Sequence, residues 1–115
     1  MTDQIPIPKP WRSQVVAILR MRNDSNIQFT FEGRNLWQAR FPNAWTSDLW
    51  EALGAALIKD NITGQEITDM AEGYETWEFF FNQDSVKLYG KVGLHPNRSR
   101  IKIYSAHPPR KGDVL

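Results

Sequence analysis

The clearest pattern of hydrophobic and polar positions lies in residues 86–107. Residues 86–94 alternate strictly, and the hydrophobic positions are Val86, Leu88, Val92 and Leu94. Such alternation is typical of a β-strand with one face on a core and the other in water. Residues 100–106 alternate in the same way, and the segment between them, residues 95–99, contains the turn-forming residues Pro96 and Asn97. We therefore predict an antiparallel hairpin that exposes lysine and tyrosine on its wet face.

Helical spacing of hydrophobic residues dominates the first half of the chain. Residues 11–21 predict an amphipathic helix, and the prolines at positions 6, 8 and 10 are expected to prevent it from starting before Trp11. After a short alternating piece at residues 27–29, Thr30 or the residue after it is expected to cap a second helix. Gly33 should weaken that helix by ~1 kcal/mol relative to alanine. Ser47 is expected to cap the third helix, whose apolar stripe should pack on a sheet.

Strand patterns return after Gly64. Residues 65–70 predict a weak strand, and residues 76–81 predict a stronger one, followed by a turn at residues 82–85. The fold class is therefore α+β, with N-terminal helices packed on a C-terminal antiparallel sheet of three to four strands. We expect a single domain over residues 1–115. Its parts are an extended Pro-rich leader (1–10), a mainly helical region (11–60), the antiparallel sheet (64–107) and a basic tail (108–115).

The composition is that of an ordinary soluble domain, with 41% hydrophobic and 23% charged residues. Absence of cysteine excludes a disulfide scaffold and a thiolate metal site. With only two histidines and no ligand spacing, we expect no metal and no cofactor. The sequence contains no apolar run near the ~20 residues of a membrane span and no signal-peptide stretch at its start, so we expect a cytoplasmic protein that does not bind membranes.

Charge is distributed unevenly along the chain. Residues 45–84 carry a net charge of −8, whereas residues 85–112 carry +7 and no acidic group. Tyrosines interleaved with cations on a sheet suit a polyanion with stackable bases, so RNA is the expected partner. Two other interpretations stay open: the cations can simply solvate the sheet, or pair internally with the acidic block. The residues expected to bind RNA are Lys87, Arg98, Arg100, Lys102, Tyr104, Arg110 and Lys111.

One kind of RNA cleavage needs no metal, because RNA carries its own nucleophile. The 2′-hydroxyl attacks the adjacent phosphodiester and leaves a cyclic phosphate, while the protein supplies a base, an acid and cations. Histidine serves either proton-transfer role near neutral pH. His107, at the end of the last predicted strand, is the candidate, although a strand-end histidine can also simply bond to backbone. His95 is interpreted as a turn residue.

The second half of the chain resembles a known toxin family. The segments that carry the likeness are Trp77-Glu78, the strand over residues 86–94 and the closing KIYSAH. Together with a leading helix and a segment I-x-F-T that runs into a second helix, they resemble the MqsR-type mRNA interferase toxins and, more broadly, the RelE-like and colicin-like ribonuclease fold. The resemblance implies a cytoplasmic endoribonuclease toxin and a cognate antitoxin or immunity protein that neutralises it.

The resemblance also implies a set of catalytic residues. The family's catalytic tyrosine falls on Tyr89, and a lysine of the same strand falls on Lys91. The catalytic glutamine position is occupied by Glu78, and the C-terminal catalytic lysine position by His107, so two of the four residue types differ from the family's. The lysine that the family places on its first strand has no match in GQEITDM.

Alternation along the last strand conflicts with this assignment. If alternation continues strictly from Ile103, His107 lies on the core face of the strand, whereas Tyr104 lies on the outer face. His107 reaches the face of Tyr89 and Lys91 only if the strand ends or bulges at residues 105–106. Two further functions stay open: a non-catalytic RNA-binding module that uses the same face, and an immunity or adaptor protein that acts through the acidic block.

Overall fold

The structure, a computed structural model, describes residues 4–110. Within this range the chain forms three α-helices: α1 (Lys9–Met21), α2 (Phe31–Arg40) and α3 (Thr46–Leu57). The strands are β1 (Ile5–Pro6), β2 (Ile27–Phe29), β3 (Thr63–Ile67), β4 (Glu75–Gln83), β5 (Val86–Leu94) and β6 (Ile101–His107). They build one sheet in the order β1-β3-β4-β5-β6-β2, in which β2 runs parallel to β6 and the other neighbours are antiparallel.

The predicted α+β class is confirmed, but the predicted sheet was too small and too uniform. It has six strands rather than three or four, and it is mixed rather than antiparallel. Both additional strands come from the first half of the chain, where the sequence predicted a leader and helices and indicated a small strand only at residues 27–29. The two-residue strand β1 pairs with β3, and β2 adds to the far edge beside β6. Such short edge pieces carry too few residues for alternation to identify them with certainty.

Two predicted helix starts were wrong by a few residues. Helix α1 begins at Lys9 rather than Trp11, because Pro10 lies in the first turn, where its missing N–H costs no intrahelical hydrogen bond. Helix α3 begins at Thr46, and Ser47 is already helical. Its first turn is held by Asp48, whose carboxylate accepts the backbone N–H of Trp45 at 2.8 Å.

The hydrophobic core lies between one face of the sheet and the helices. Helix α1 contributes Trp11, Val15, Ile18 and Leu19, and α3 contributes Leu49, Trp50, Leu53 and Leu57. The sheet contributes Trp77, Phe79, Phe81, Leu88, Val92, Leu94, Ile101, Ile103 and Ala106. Apart from Ala106, these strand residues are the hydrophobic members of the alternating pattern, so the inward face predicted for the hairpin is observed up to Ile103.

A buried guanidinium holds the leader to the ends of two helices. Arg12 is 5% exposed, and its side chain donates to the carbonyl oxygens of Ile7 at 3.0 Å and Leu57 at 2.9 Å. Because Leu57 is the last residue of α3, Arg12 satisfies a carbonyl that the helix itself leaves without a donor. It also contacts Asp60 at 3.3 Å. The chain entering α1 and the chain leaving α3 are therefore fixed to each other.

A β-bulge in β6 changes which face its last residues occupy. Val92 is opposite Ile103, but Lys91 is opposite Ser105, so Tyr104 is an extra residue in the strand. The register continues through Gly90 opposite Ala106 to Tyr89 opposite His107. The bulge lies one residue before the segment expected from the sequence. As a result, Ile103 and Ala106 both face the core, and His107 lies on the opposite face.

Candidate functional site

The sheet face opposite the core carries most of the predicted site residues. We name it the Lys–Tyr face. We assign residues of β4, β5 and β6 to this face from the strand register and from the burial of their neighbours. The members are Thr76, Glu78, Phe80, Lys87, Tyr89, Lys91, Lys102, Tyr104, Ser105 and His107. Adjacent strands place these side chains in cross-strand rows, where directly opposed residues are close enough to contact each other.

The four residues assigned to catalysis from the sequence lie in two neighbouring rows of this face. Tyr89 lies between Phe80 and His107, and Lys91 lies between Glu78 and Ser105. The hydroxyl of Tyr89 donates to the Glu78 carboxylate. The rings of Tyr89 and His107 have centroids 5.4 Å apart and are tilted by 39°. We refer to Glu78, Tyr89, Lys91 and His107 as the central cluster.

The hydrogen bond of His107 indicates which ring nitrogen carries the proton. Nδ1 lies 2.8 Å from the carbonyl oxygen of Pro108. A carbonyl oxygen only accepts, so Nδ1 carries the hydrogen, and in the neutral imidazole Nε2 is the basic nitrogen. His107 is only 3% exposed and Tyr89 9% exposed. These two members of the central cluster are therefore largely covered, whereas Glu78 and Lys91 are half-buried.

His107 also forms part of the wall of a cavity of about 350 Å³. Helix α2 supplies one side of it through Leu36, Ala39 and Arg40. The other side is the segment that follows β6, from His107 through Pro108 and Pro109 to Arg110. We name this space the α2 cavity. His107 contributes to the wall of this cavity, but its Nε2 atom has almost no solvent-exposed surface.

A second group of aromatic and cationic side chains lies toward the β5–β6 loop. The ammonium nitrogen of Lys102 is 4.6 Å from the ring centroid of Tyr74 and 5.6 Å from that of Tyr104. Lys91 approaches the other side of this group, with its nitrogen 5.4 Å from the Tyr104 ring. The Tyr74 and His95 rings meet edge to face at 5.1 Å. Two lysines thus share the face of one tyrosine, which concentrates positive charge around it.

Tyr104 is held in its protonated form. Burial raises the pKa of its phenol, a hydrogen bond with Thr76 lowers that pKa in part, and the electrostatic effects of Tyr74 and Glu72 raise it further. The phenol therefore remains a hydrogen-bond donor at neutral pH.

The remaining predicted RNA-binding residues are spread over a wider area. Lys87 lies on the Lys–Tyr face with its nitrogen 4.2 Å from the centre of the Phe80 ring. Arg100 contacts the His95 ring at 3.0 Å, near the second aromatic group. Arg98 is directed elsewhere: its guanidinium lies 3.4 Å from the carbonyl oxygen of Pro10 and 3.8 Å from Glu75. Arg110 lines the α2 cavity, and Lys111 lies outside the described residues.

Several members of the acidic block (residues 45–84) have partners of their own. Asp48 caps α3, Asp60 contacts Arg12, Glu51 contacts Arg22, and Glu78 accepts from Tyr89. Among the ion pairs in residues 4–110, Arg98–Glu75 links the basic C-terminal segment to this block. The charge separation along the sequence is thus only partly neutralised by internal pairing.

Some residues of the site were missed by the sequence analysis. Leu36, Ala39 and Arg40 belong to a helix whose pattern gave no sign that it adjoins the end of the last strand. Tyr74 lies in the connection between β3 and β4, to which the sequence analysis assigned no role. Both positions depend on tertiary packing, for which no local signal exists in the sequence.

Among residues 4–110, none of the helices has the length and apolar character needed to cross a bilayer. In the same range, no three His, Cys, Asp or Glu side chains converge in a way that could hold a metal ion. The resemblance to MqsR-type toxins remains a prediction from the sequence, since no protein-family model, curated protein or solved structure matches the chain significantly.

Proposed function

We propose that the protein is a metal-independent endoribonuclease that acts as the toxin of a toxin–antitoxin or growth-inhibition system. One observation carries the proposal. Because of the bulge at Tyr104, His107 lies on the sheet face opposite the core, beside Tyr89. A proton-transfer group, a phenol with its carboxylate partner and a lysine thereby occupy one small area of a cation-rich face. This is the set of groups that RNA cleavage by the 2′-hydroxyl requires.

In the proposed reaction, Nε2 of His107 accepts the proton of the 2′-hydroxyl. The 2′-oxygen attacks the phosphorus, the bond from phosphorus to the 5′-oxygen breaks, and the products are a 2′,3′-cyclic phosphate and a 5′-hydroxyl. The Lys91 ammonium stabilises the charge that develops on the phosphorane oxygens. Lys91 and the Tyr89 hydroxyl are the donors of the central cluster that can protonate the leaving 5′-oxygen, and Glu78 holds the phenol in place.

The proposal specifies the substrate and the partner. DNA lacks the 2′-hydroxyl and so cannot react in this way, which restricts the activity to RNA. Lys87, Arg100 and Lys102 bind flanking phosphates or stack with bases, while Arg98, which lies against the start of α1, has at most a peripheral role. The neutralising antitoxin or immunity protein covers the Lys–Tyr face with an acidic segment, and the protein acts in the cytoplasm.

The test is cleavage of end-labelled RNA by the purified protein in the presence of EDTA. We expect fragments that end in a cyclic phosphate, and a loss of about 10²-fold or more in rate for His107→Gln, since general acid–base catalysis typically contributes 10²–10⁴-fold. His95→Gln is the matched control, because it changes the other histidine of the chain. It should cleave at nearly the wild-type rate. Wild-type cleavage by a folded His107→Gln variant would remove His107 from the mechanism.

A second function is favoured by the low exposure of the central cluster. At 3% and 9% exposure, His107 and Tyr89 are as buried as structural residues, which suits a non-catalytic RNA-binding module whose working groups are the lysines and Tyr104. Such a module binds RNA with an affinity that falls steeply as salt increases, but produces no fragments. The same EDTA assay, combined with binding measured at two salt concentrations, separates the two functions.

A further inference from the structure

We propose that the α2 cavity is a nucleobase subsite, which holds the base of the nucleotide that carries the attacking 2′-hydroxyl. The inference rests on the proposed function, because it assigns a role to a space next to the imidazole that performs the chemistry. The proposed subsite would determine next to which base the RNA is cut.

The position of His107 connects the cavity to the chemistry. Its ring packs against Tyr89 on the Lys–Tyr face and at the same time lines the α2 cavity. Its basic nitrogen, Nε2, has almost no solvent-exposed surface, so a nucleotide must displace neighbouring side chains to reach it. A nucleotide that extends from the sheet face into the cavity places its ribose next to the imidazole.

The walls of the cavity suit a base attached to a phosphate. Leu36, Ala39, Pro108 and Pro109 offer flat aliphatic surfaces, and Arg40 and Arg110 add two cations. Bases pack on such surfaces and stack on guanidinium planes, while the cations attract the adjoining phosphates. An uncharged apolar ligand would gain nothing from the two arginines. The volume of about 350 Å³ lies near the lower end of the range for small-ligand sites, as expected for a pocket that takes a single base.

The identity of the nucleotide follows from the role of His107. If its Nε2 takes the proton of the 2′-hydroxyl, the ribose beside it belongs to the nucleotide on the 5′ side of the cleaved bond. That nucleotide keeps its phosphate on the 3′-oxygen. We therefore expect the cavity to prefer nucleoside 3′-monophosphates over the corresponding 5′-monophosphates, and to discriminate among the four bases.

The experiment is a titration of the ¹⁵N-labelled protein with the four nucleoside 3′-monophosphates, followed by amide chemical shifts. We expect saturable shifts at the amides of Leu36, Ala39 and Arg40 on α2 and of His107 and Arg110. Ala39→Trp, which places an indole at the cavity, should weaken binding by about tenfold or more. Ala17→Trp is the matched control, because Ala17 is exposed on α1, outside the cavity. It should leave binding within about twofold of wild type.

A second pair of variants tests the contribution of charge on the same helix. Arg40→Gln should weaken binding of the 3′-monophosphates. Arg34→Gln should not, because Arg34 lies over the Phe29 ring and lines a different cavity. Equal binding of 5′- and 3′-monophosphates would overturn the assignment to the 2′-hydroxyl nucleotide. Absence of shifts on α2 at saturating nucleotide, or shifts confined to the Lys–Tyr face, would overturn the subsite itself.

RNA cleavage by the same variants separates this inference from the proposed function. Ala39→Trp should still cleave RNA, but with its preference among bases at the 5′ side of the cut reduced or lost. If the wild type cleaves RNA and Ala39→Trp keeps the same rate and base preference, the subsite is wrong and the nuclease stands. If nucleotides bind in the cavity and no RNA is cleaved, a nucleotide site is present, but the nuclease and the assignment of the site to the attacking 2′-hydroxyl are both wrong.

Discussion

Replacing Gly33 by alanine tests how α2 is attached to the candidate site. Gly33 lies in the first turn of α2, where its N–H donates to the capping hydroxyl of Thr30 at 3.1 Å. A methyl group added at Gly33 would lie 2.5 Å from the carbonyl oxygen of Tyr104 and 2.8 Å from that hydroxyl. Tyr104 is the bulge residue, so the helix contacts the backbone at the point where the strand changes face.

The expected effect is the sum of three contributions. Alanine is a better helix former than glycine by about 1 kcal/mol, which favours the variant. Against this, forcing a methyl into backbone that cannot rotate away costs roughly 1–3 kcal/mol. Displacing Thr30 from its cap costs about another 1 kcal/mol. We therefore expect Gly33→Ala to lower the free energy of unfolding by roughly 1–3 kcal/mol, contrary to the gain that helix propensity alone predicts.

The matched control is the same substitution in another helix of the same chain. Gly54 lies inside α3, and a methyl group added there has no atom within 4 Å. Gly54→Ala should therefore raise the free energy of unfolding by about 0.5–1 kcal/mol. The free energies of unfolding of both variants are measured by urea denaturation. If the dependence of that free energy on urea concentration (the m value) is the same as in the wild type, only stability has changed. If both variants were stabilised equally, the close contact between α2 and the bulge would be refuted.

Two other predictions concern buried or shifted groups. Arg12→Met should lower the free energy of unfolding by about 2–4 kcal/mol, because the buried carbonyls of Ile7 and Leu57 lose their donor. Arg20→Met, on the exposed side of α1, should change the free energy of unfolding by less than about 0.5 kcal/mol in the same urea experiment. Tyr104→Phe should make stability less sensitive to alkali. The pKa of the Tyr104 phenol is higher in the folded protein than in the unfolded chain, where it is about 10. The contribution of the protonated phenol to the free energy of unfolding is therefore complete below about pH 10 and is lost as the pH rises through the pKa of the folded state. The wild type should thus lose more stability than Tyr104→Phe above about pH 10, and parallel curves would contradict this.

The sequence predicted well where one residue pattern determines one feature. Alternation along residues 86–94 identified β5 and its two faces, and helical spacing identified all three helices in residues 4–110. Thr30 or the residue after it was predicted to cap α2, and the structure shows that Thr30 does so. Each of these features depends on side chains within a few positions of each other, so the information is local.

Features that depend on packing between distant segments were not predictable in this way. Residues 5–6 and 27–29 are too short to identify as strands by themselves, and they become strands only because β3 and β6 offer free edges. From the sequence, His107 could reach Tyr89 only if the strand ended or bulged at residues 105–106. The observed bulge is at Tyr104, whose carbonyl contacts the start of α2. Gly33 was expected only to weaken its helix, since its contact with residue 104 is invisible in the sequence.

Thr30 connects these observations, because it joins the N-terminal half of the chain to the site in three ways. Its backbone N–H donates to the carbonyl of Ile103 at 3.1 Å, its hydroxyl donates to the carbonyl of Tyr104 at 3.1 Å, and the same hydroxyl accepts from Gly33. The first bond extends the parallel pairing of β2 with β6, and the other two hold the start of α2 on the bulge. The bulged strand thus has its carbonyls satisfied by the segment that also places Leu36 and Arg40 beside His107. The side chains of the proposed chemistry come from the C-terminal hairpin, but their geometry depends on the corner between β2 and α2.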